Sequence, residues 1–520
     1  MLDSHPILSC EESRAFEARL FGGDEAAEWP AMQRAGRAVA AAVLRDFEEI
    51  GGFPPPGRVL VLVGKGHNGG DALIAAQAVL ARFPAARAEV VFVFGERSLR
   101  PLAARAWREL THTVRERVVV GQVADPARAA TGRAYHFALC LDGVFGFQFR
   151  GPASAGVAAL IGSVNALPIR LRAAVDLPSA GLFRADFTYA TGIVKTPVLA
   201  EFGTVAGRVR YLDLGFFAPG GPVPLSAGEN RVLTPAVLVP LAAWRDSRSD
   251  KRTYGHVFVV GGSRSYPGAV LMAVLAALRS GAGLVTAFVP ESMVAAFAAR
   301  APEAMWVGWP ETPAGGLALE GQYLLATRIG RASALVVGPG IGREAETLAL
   351  VRDIVATAPV PVVIDADALQ SEIVSAGKAA RILTPHAGEW SRIAESRQEN
   401  AVLVRKGAVT RICGRARLPP APGAEGRGLQ PRASPDGVTY YSFFGGPVLA
   451  RGGSGDGLAG LIGGLLAQTP HEPLLAAARG VVWHGMAADA LARAHGQTSV
   501  VTTQVLDFLA AALRESGHEQ

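Results

Sequence analysis

The chain has 520 residues, 50% of them hydrophobic and 18% charged, with a formal net charge of +6. That length predicts two to three globular domains with ample core. The basic excess is mild, mostly arginine and spread along the chain without a basic tail, so a nucleic-acid partner is not expected and a small anionic ligand accounts for the charge. Three distant cysteines, Cys10, Cys140 and Cys413, form neither a disulfide framework nor a zinc pattern and suit a reducing compartment. The first twelve residues lack the basic and apolar regions of a signal peptide. The longest apolar stretch, residues 268–289, is broken by Arg279, Gly281 and Gly283. It reads as a buried helix and a strand rather than a membrane span, and a soluble cytoplasmic protein is expected.

Residues 11–48 carry apolar positions at helical spacing, among them Phe16, Leu20, Met32, Val39 and Val43. A Pro- and Gly-rich stretch at 51–57 ends that region. After Arg58 an apolar run to residue 63 reads as a strand inside a parallel sheet. It leads into Gly64-Lys65-Gly66-His67-Asn68-Gly69-Gly70-Asp71, then a helix over 72–81 and a second buried strand over 89–94. The turn matches G-x-G-x-x-G, a weak signal alone. No acidic residue closes the second strand where a ribose would be held (Glu96 lies late), which disfavours a nicotinamide dehydrogenase. What distinguishes the turn is its polar side chains, Asn68 and Asp71.

Two further strands end in carboxylates. Residues 137–141 run into Asp142, and 171–175 into Asp176-Leu177-Pro178-Ser179. Ligands of open α/β sheets bind beyond the carboxyl ends of the strands, so Asn68, Asp142, Asp176 and Ser179 are expected to converge. Their oxygens suit a hard cation without identifying it. Each aspartate taken singly reads more readily as a turn or helix cap; three such strand ends in succession weaken that reading. A Pro- and Gly-rich stretch then places a domain boundary near 220–232.

The second half restarts the α/β pattern. A strand at 254–260 ends in a glycine turn at 261–269 that lacks the Lys-Ser/Thr of a P-loop. A helix to residue 278 and a strand at 284–289 follow. Strands at 334–337, 360–364, 381–383 and 402–404 end, respectively, in Gly338-Pro339-Gly340-Ile341-Gly342, in Asp365-Ala366-Asp367, in Thr384-Pro385-His386 and in Arg405-Lys406-Gly407-Ala408. This is the pattern of a large, mostly parallel sheet with its site at the strand C-termini. Residues 414–437, rich in Pro, Gly and Arg, read as a long exposed loop. Next comes Gly452-Gly453-Ser454-Gly455-Asp456-Gly457, ahead of an apolar small-residue run at 461–467. It reads as a helix that begins at the turn, where free N–H groups and the helix dipole favour an anion. Asp456 is either a base for a hydroxyl attacking a phosphate or only an N-cap. His484, in the last helical region, reads as a packed histidine, and no internal repeat is present.

Together these motifs resemble the bifunctional NAD(P)H-hydrate repair enzymes, over residues 7–515. The resemblance rests on residues 64–76, 142–151 and 175–181 in the first half. In the second it rests on residues 254–273, 278–286, 336–342, 363–369, 382–390, 405–410 and 452–460. It implies an N-terminal Rossmann-like α/β/α domain over 1–225, an NAD(P)H-hydrate epimerase. It also implies a ribokinase-like α/β domain over 226–520, an ADP-dependent NAD(P)H-hydrate dehydratase. In the first, the resemblance implies that His67, Asn68, Gly69, Gly70, Asp71, Gly146, Phe147, Gln148, Phe149, Arg150, Gly151, Pro152 and Asp176 bind the hydrate. Asn68, Asp142 and Ser179 would hold potassium. In the second, Ala269, Gly340, Gly342, His386 and Asp456 would contact the hydrate. Lys406, Gly407, Ala408, Val409, Thr410 and Gly455 would hold the adenine nucleotide, with Mg2+ and ADP as co-substrate. The expected partners are the hydrates of NADH and NADPH and the nucleotide, and a homo-oligomer is the expected assembly. Catalysis would fall to Asp456 in one domain and to Asp176 (or Asp142) in the other. The family commonly has asparagine at the position of His67 and glycine at that of Ala180. A ribokinase-like small-molecule kinase and a nucleotide-binding regulatory protein are the competing readings.

Overall fold

A computed structural model describes residues 2–121, 137–199, 203–221, 229–396, 400–414 and 438–517. The loop expected at 414–437 therefore lies outside the described residues except for Gly414. The chain divides into two compact units, one of 5–228 with 492–497, the other of 1–4, 229–491 and 498–520. Among the described residues, no helix is long and apolar enough to cross a membrane.

The first unit contains β1 (Ser4–Leu8), β2 (Arg58–Val63), β3 (Arg87–Phe92), β4 (Val118–Val120), β5 (Phe137–Gly143), β6 (Ile169–Val175), β7 (Phe187–Thr191), β8 (Val194–Lys195) and β9 (Arg208–Leu212). Seven of these make a parallel sheet in the order β4-β3-β2-β5-β6-β7-β9, and β8 pairs with β1. Side chains alternate along β2. Val59, Val61 and Val63 pack into one core with the helices Glu25–Glu48, His67–Arg82 and Pro101–Val114. Leu60 and Leu62 pack into the other, with the helix Ala155–Ala166. Both faces are buried, which is why the strand is apolar throughout. This is the three-layer α/β/α arrangement expected.

Two local expectations change. The helical region 11–48 is two helices, Cys10–Phe21 and Glu25–Glu48, separated where Gly22 and Gly23 take φ of 65° and 71°. A side chain there would be strained, so glycine ends the first helix. The helix expected over 72–81 instead starts at His67, with Gly66 as its N-cap. Periodicity could not see that first turn, because it contains Asn, Gly and Asp rather than apolar residues.

The second unit contains β10 (Asn230–Leu233), β11 (His256–Val260), β12 (Leu284–Pro290), β13 (Met305–Trp309), β14 (Ala334–Val337), β15 (Val362–Ile364), β16 (Arg381–Leu383), β17 (Ala401–Arg405), β18 (Thr410–Gly414) and β19 (Thr439–Ser442). Their order is β13-β12-β11-β14-β15-β16-β17-β18-β19-β10. The pairing is parallel from β13 to β17, then antiparallel through β18 to β19. Sequence periodicity did not show β18 and β19.

The helix Ser454–Gln468 crosses this sheet, buried from Gly457 to Ala467. Its later glycines serve packing. A Cβ on Gly460 would sit 2.0 Å from the Ala273 carbonyl, and one on Gly464 2.0 Å from Ser280 Oγ. The helix can therefore approach the helix Pro267–Arg279 only with glycine at both places.

Candidate active sites

In each sheet the strand order reverses at one point, and ligands of such sheets bind outside the carboxyl ends there. In the first unit the reversal lies between β2 and β5, whose ends are level, Val63 opposite Gly143. The loops leaving these two strands interlock. Gly64 N–H donates to the Gly143 carbonyl at 3.0 Å. A Cβ on Gly69 would fall 2.4 Å from the Gly64 carbonyl, and one on Gly70 2.7 Å from Met32 Sδ. Gly69 thus lets the helix start sit tightly against the strand end, and Gly70 lets it sit against the helix Glu25–Glu48.

Asn68 spans the reversal, donating from Nδ2 to the carbonyls of Phe145 at 3.0 Å and Val175 at 2.8 Å. Asp142 is fully buried and accepts from Ser179 Oγ at 2.6 Å, Ser179 N–H at 2.9 Å and Val144 N–H at 3.3 Å. Phe145 N–H donates to Ser179 Oγ at 2.9 Å. Asp142 and Ser179 are thus bonded directly, and Asn68 is joined to them through Phe145, whose carbonyl meets Asn68 and whose N–H meets Ser179. These three donors to Asp142, a hydroxyl and two backbone N–H groups, are all uncharged. Burial pushes its pKa up to about 6 against the pull of those donors. Ala180, where the resemblance expects glycine, has φ of 54°. Its Cβ costs about 1–2 kcal/mol in that left-handed conformation.

Beside this cluster lies a cavity of about 250 Å³. Its walls include His67, Asn68 and Asp71 from the helix start, Phe147 and Gln148 from the loop after β5, Asp176 after β6, Thr191 after β7 and Lys195 at the end of β8. Gly146 is held against the Asn68 amide, Phe149 stacks on Phe145 with centroids 3.8 Å apart, and Arg150, Gly151 and Pro152 are exposed. Asp142 does not line the cavity, whereas Asp176 does.

Lys195, which sequence reasoning missed, donates from Nζ to Asp176 Oδ1 at 2.5 Å, with both side chains almost wholly buried. The other Asp176 oxygen and Asp71 Oδ1 are buried with no hydrogen-bond partner. Asp176 has φ of 67°, a left-handed conformation that a non-glycine residue holds only under constraint from its surroundings. Burial pushes Asp71 well above the carboxylate range, assisted by the charges of Asp176 and Glu17. His67 Nε2 lies 3.2 Å from a Glu28 carboxylate oxygen on the cavity wall.

In the second unit the order reverses between β11 and β14. Ser263 Oγ donates to the Gly340 carbonyl at 2.8 Å, joining the loops that leave these strands. Gly340 has φ of 70°, and a Cβ there would meet the Tyr266 carbonyl at 2.4 Å and Ala269 Cβ at 3.0 Å. Gly342 lies in the same turn with φ of 72°. The helix Pro267–Arg279 carries Ala269 at its start and Met272 one turn on, and Met272 covers Gly453. Ala269, Gly340 and the glycine turn before Asp456 are thereby brought together.

The helix Ser454–Gln468 is capped by Gly453 at φ 88°, with no side-chain cap bond. Asp456 is the third residue of the helix rather than its N-cap, and there its carboxylate lies within the first turn, where the helix dipole favours negative charge. Ser454 N–H reaches the Arg451 carbonyl at 3.4 Å and Gly457 N–H that of Gly453 at 3.0 Å. The N–H groups of Gly455 and Asp456 belong to the open end of the helix.

Around Asp456 stand three more charged groups. Lys406 Nζ donates to Asp365 Oδ1 at 3.0 Å and lies 3.8 Å from Glu389 Oε2. Thr384 donates to the same Asp365 oxygen at 2.6 Å. A Cβ on Gly455 would lie 2.9 Å from Lys406 Nζ. Burial opposes the Lys406 charge, but Asp365 and then Glu389 hold its pKa above the ordinary lysine value. Burial, then the Asp365 charge, push Asp456 up to about 6, with Lys406 opposing.

His386 caps the helix Ala387–Ile393. Its Nδ1 accepts from Gly388 N–H at 3.0 Å, and the His386 N–H donates to the Glu389 carboxylate at 2.9 Å. The spacing of His386 and Glu389 is that of a capping box, a sequence signal for Glu389 that went unused. Gly407, Ala408 and Val409 turn the chain from β17 to Thr410, the first residue of β18. His484 is buried, and burial, then Lys406, push its pKa down to about 4.

Residues 257–413 and 431–510 match the family described as NAD(P)H-hydrate dehydratase, and residues 30–198 the YjeF-related protein N-terminus. The chain is similar to the bifunctional NAD(P)H-hydrate repair enzyme Nnr of Moorella thermoacetica, 33% identical over 94% of this chain and 93% of that one. It is likewise similar to the Nnr of Gloeobacter violaceus, 34% identical over 97% and 98%. Among solved structures, the ADP/ATP-dependent NAD(P)H-hydrate dehydratase of Bacillus subtilis co-crystallized with ATP/Mg2+ is 28% identical, covering 52% of this chain and 94% of that one, with a TM-score of 0.43.

Proposed function

Because this chain belongs to the bifunctional NAD(P)H-hydrate repair enzymes, we propose that its two strand-end sites divide the work of that repair between them. It is a metabolite-repair enzyme with an epimerase domain and an ADP/ATP-dependent dehydratase domain. We assign residues 1–225 to the first and 226–520 to the second. The observation that carries the assignment of the chemistry is the grouping of Asp456, Lys406, Asp365 and Glu389 at an open helix start.

Hydroxide is a poor leaving group, so the dehydratase first makes the hydroxyl of the hydrate a phosphate ester. Asp456 takes the hydroxyl proton as the oxygen forms its bond to the terminal phosphorus of ADP, and AMP leaves. The N–H groups of Gly455 and Asp456, with Lys406, stabilise the charge on the phosphoryl group in flight. Phosphate then departs with its bonding pair, a ring proton is lost, and the dihydronicotinamide is restored. Ala269, Gly340, Gly342 and His386 border the hydrate; Lys406 to Thr410 and Gly455 hold the nucleotide. Asp365 and Glu389 would offer carboxylate oxygens to Mg2+, which would supply charge neutralisation at the phosphates.

In the epimerase, His67 to Asp71, Gly146 to Pro152 and Asp176 form the hydrate site. Asn68, Asp142 and Ser179 fit potassium, because the donors are all oxygen and the buried Asp142 carboxylate has no cationic hydrogen-bond partner. Bound there, the ion would neutralise Asp142 and brace the loop after β5. Replacing K+ with tetramethylammonium is expected to slow interconversion of the R and S hydrates severalfold. Asp142→Asn should be slow in both salts; equal rates of the wild type in the two would exclude the ion. Cytoplasmic placement accords with cysteines that form no disulfide.

The test of the whole reading is absorbance at 340 nm with hydrated NADH. Nucleotide-dependent recovery of absorbance, from both epimers, is expected. A phosphorylated product that accumulates without NADH would identify a small-molecule kinase instead.

A further inference from the structure

The helix Cys10–Phe21 covers the epimerase cavity with Arg14, Glu17, Ala18 and Phe21, positions that share one helical face. Glu17 is the carboxylate of that face. It has no hydrogen-bond or ion-pair partner among the described residues. The groups around it are Asp176 beyond β6, Lys195 on β8, Glu28 on the helix Glu25–Glu48, and Asp71 with His67 on the helix His67–Arg82. Two carboxylate oxygens of this cavity, on Asp71 and Asp176, are buried without donors. A bound molecule that brings hydrogen-bond donors and developing positive charge would satisfy them.

We propose that Glu17 is the proton-transfer residue of the epimerase, acting on the hydroxyl of the hydrate opposite the ion pair of Asp176 and Lys195. The inference rests on the epimerase reading of the first unit. A dihydronicotinamide is an enamine, so added water leaves its hydroxyl on the carbon beside the ring nitrogen. Glu17 donates a proton to that oxygen. The C–O bond breaks with its electron pair on the departing water, and the nitrogen lone pair forms a C=N+ bond. Water adds to the opposite face, the π pair returns to nitrogen, and the extra proton returns to Glu17. No atom or electron is gained or lost. The free oxygen of Asp176 stabilises the cation, and Lys195 holds that carboxylate in place.

Such an acid must hold its proton near neutrality. Burial, opposed by Lys195 and assisted by Asp176, raises Glu17 to about 7. Asp176, paired with a lysine, and Glu17, with no cation bonded to it, stand in two different environments, as an acid and a charge-stabilising partner require.

The experiment follows interconversion of separated R and S hydrates without nucleotide, from pH 5 to 9, in the full-length chain. Wild-type rates are expected to fall as the pH rises through about 7. Glu17→Gln should be slower by about a hundredfold and lose that limb, and Glu17→Asp should regain part of the rate. Hydrogen-exchange protection of β5 and β6 shows whether the unit stays folded; if Glu17→Gln does not, the wild-type limb and the Asp variant decide. A Gln variant with wild-type rates, or with the same limb at lower rate, overturns the assignment. A wild type that interconverts nothing at any pH removes the epimerase reading, and Glu17 with it.

Discussion

Asp456→Asn should abolish nucleotide-dependent dehydration, by about a thousandfold, while R and S hydrates still interconvert in the same preparation. The amide keeps the volume and the helix start, and it cannot accept a proton. Wild-type dehydration should also rise with pH through about 6, since below that value the buried carboxyl already holds a proton and is no base. The Asn variant should lack this limb. Recovery of absorbance at 340 nm reads both effects. An Asn variant within tenfold of wild type would make Asp456 a structural residue and leave the base to be sought at Asp365 or Glu389.

The second large effect belongs to Lys195. Its ion pair with Asp176 is almost fully buried, and removing one partner strands the other charge. Lys195→Met is expected to destabilise the first unit by about 3–5 kcal/mol and to abolish epimerisation. Adding Asp176→Asn removes the stranded charge, so the double variant should recover most of the stability and none of the activity. Hydrogen exchange along β6 and β7 reads this unit alone, and separated epimers read the chemistry. A single variant as stable as wild type would mean that water reaches the pair.

Both predictions turn on side chains whose visibility in the sequence differed. Asp456 and Asp176 stand at the ends of glycine-flanked or apolar stretches, where local pattern marks a strand end or helix start. Lys195 sits in a two-residue strand between Val194 and Thr196, and the residues around it form no motif that marks a site. Glu17 lies in a helix that periodicity marks only by its apolar positions, a signal that does not say which polar residues face a cavity. Glu389 was legible as the third position after His386, yet its approach to Lys406 depends on β16 and β17 lying side by side.

Local sequence determined the parallel strands of both sheets, the carboxyl-end loops and most of the residues in them, because strand alternation, glycine turns and helix starts are set by neighbours within a few positions. Tertiary structure alone decided which loops meet. The reversal of strand order links Asn68 through Phe145 to the Asp142–Ser179 pair, and close helix packing at Gly460 and Gly464 seats Asp456 beside Lys406. It also set the protonation of the acids, since burial and the charges across a cavity act through space between residues far apart in the chain.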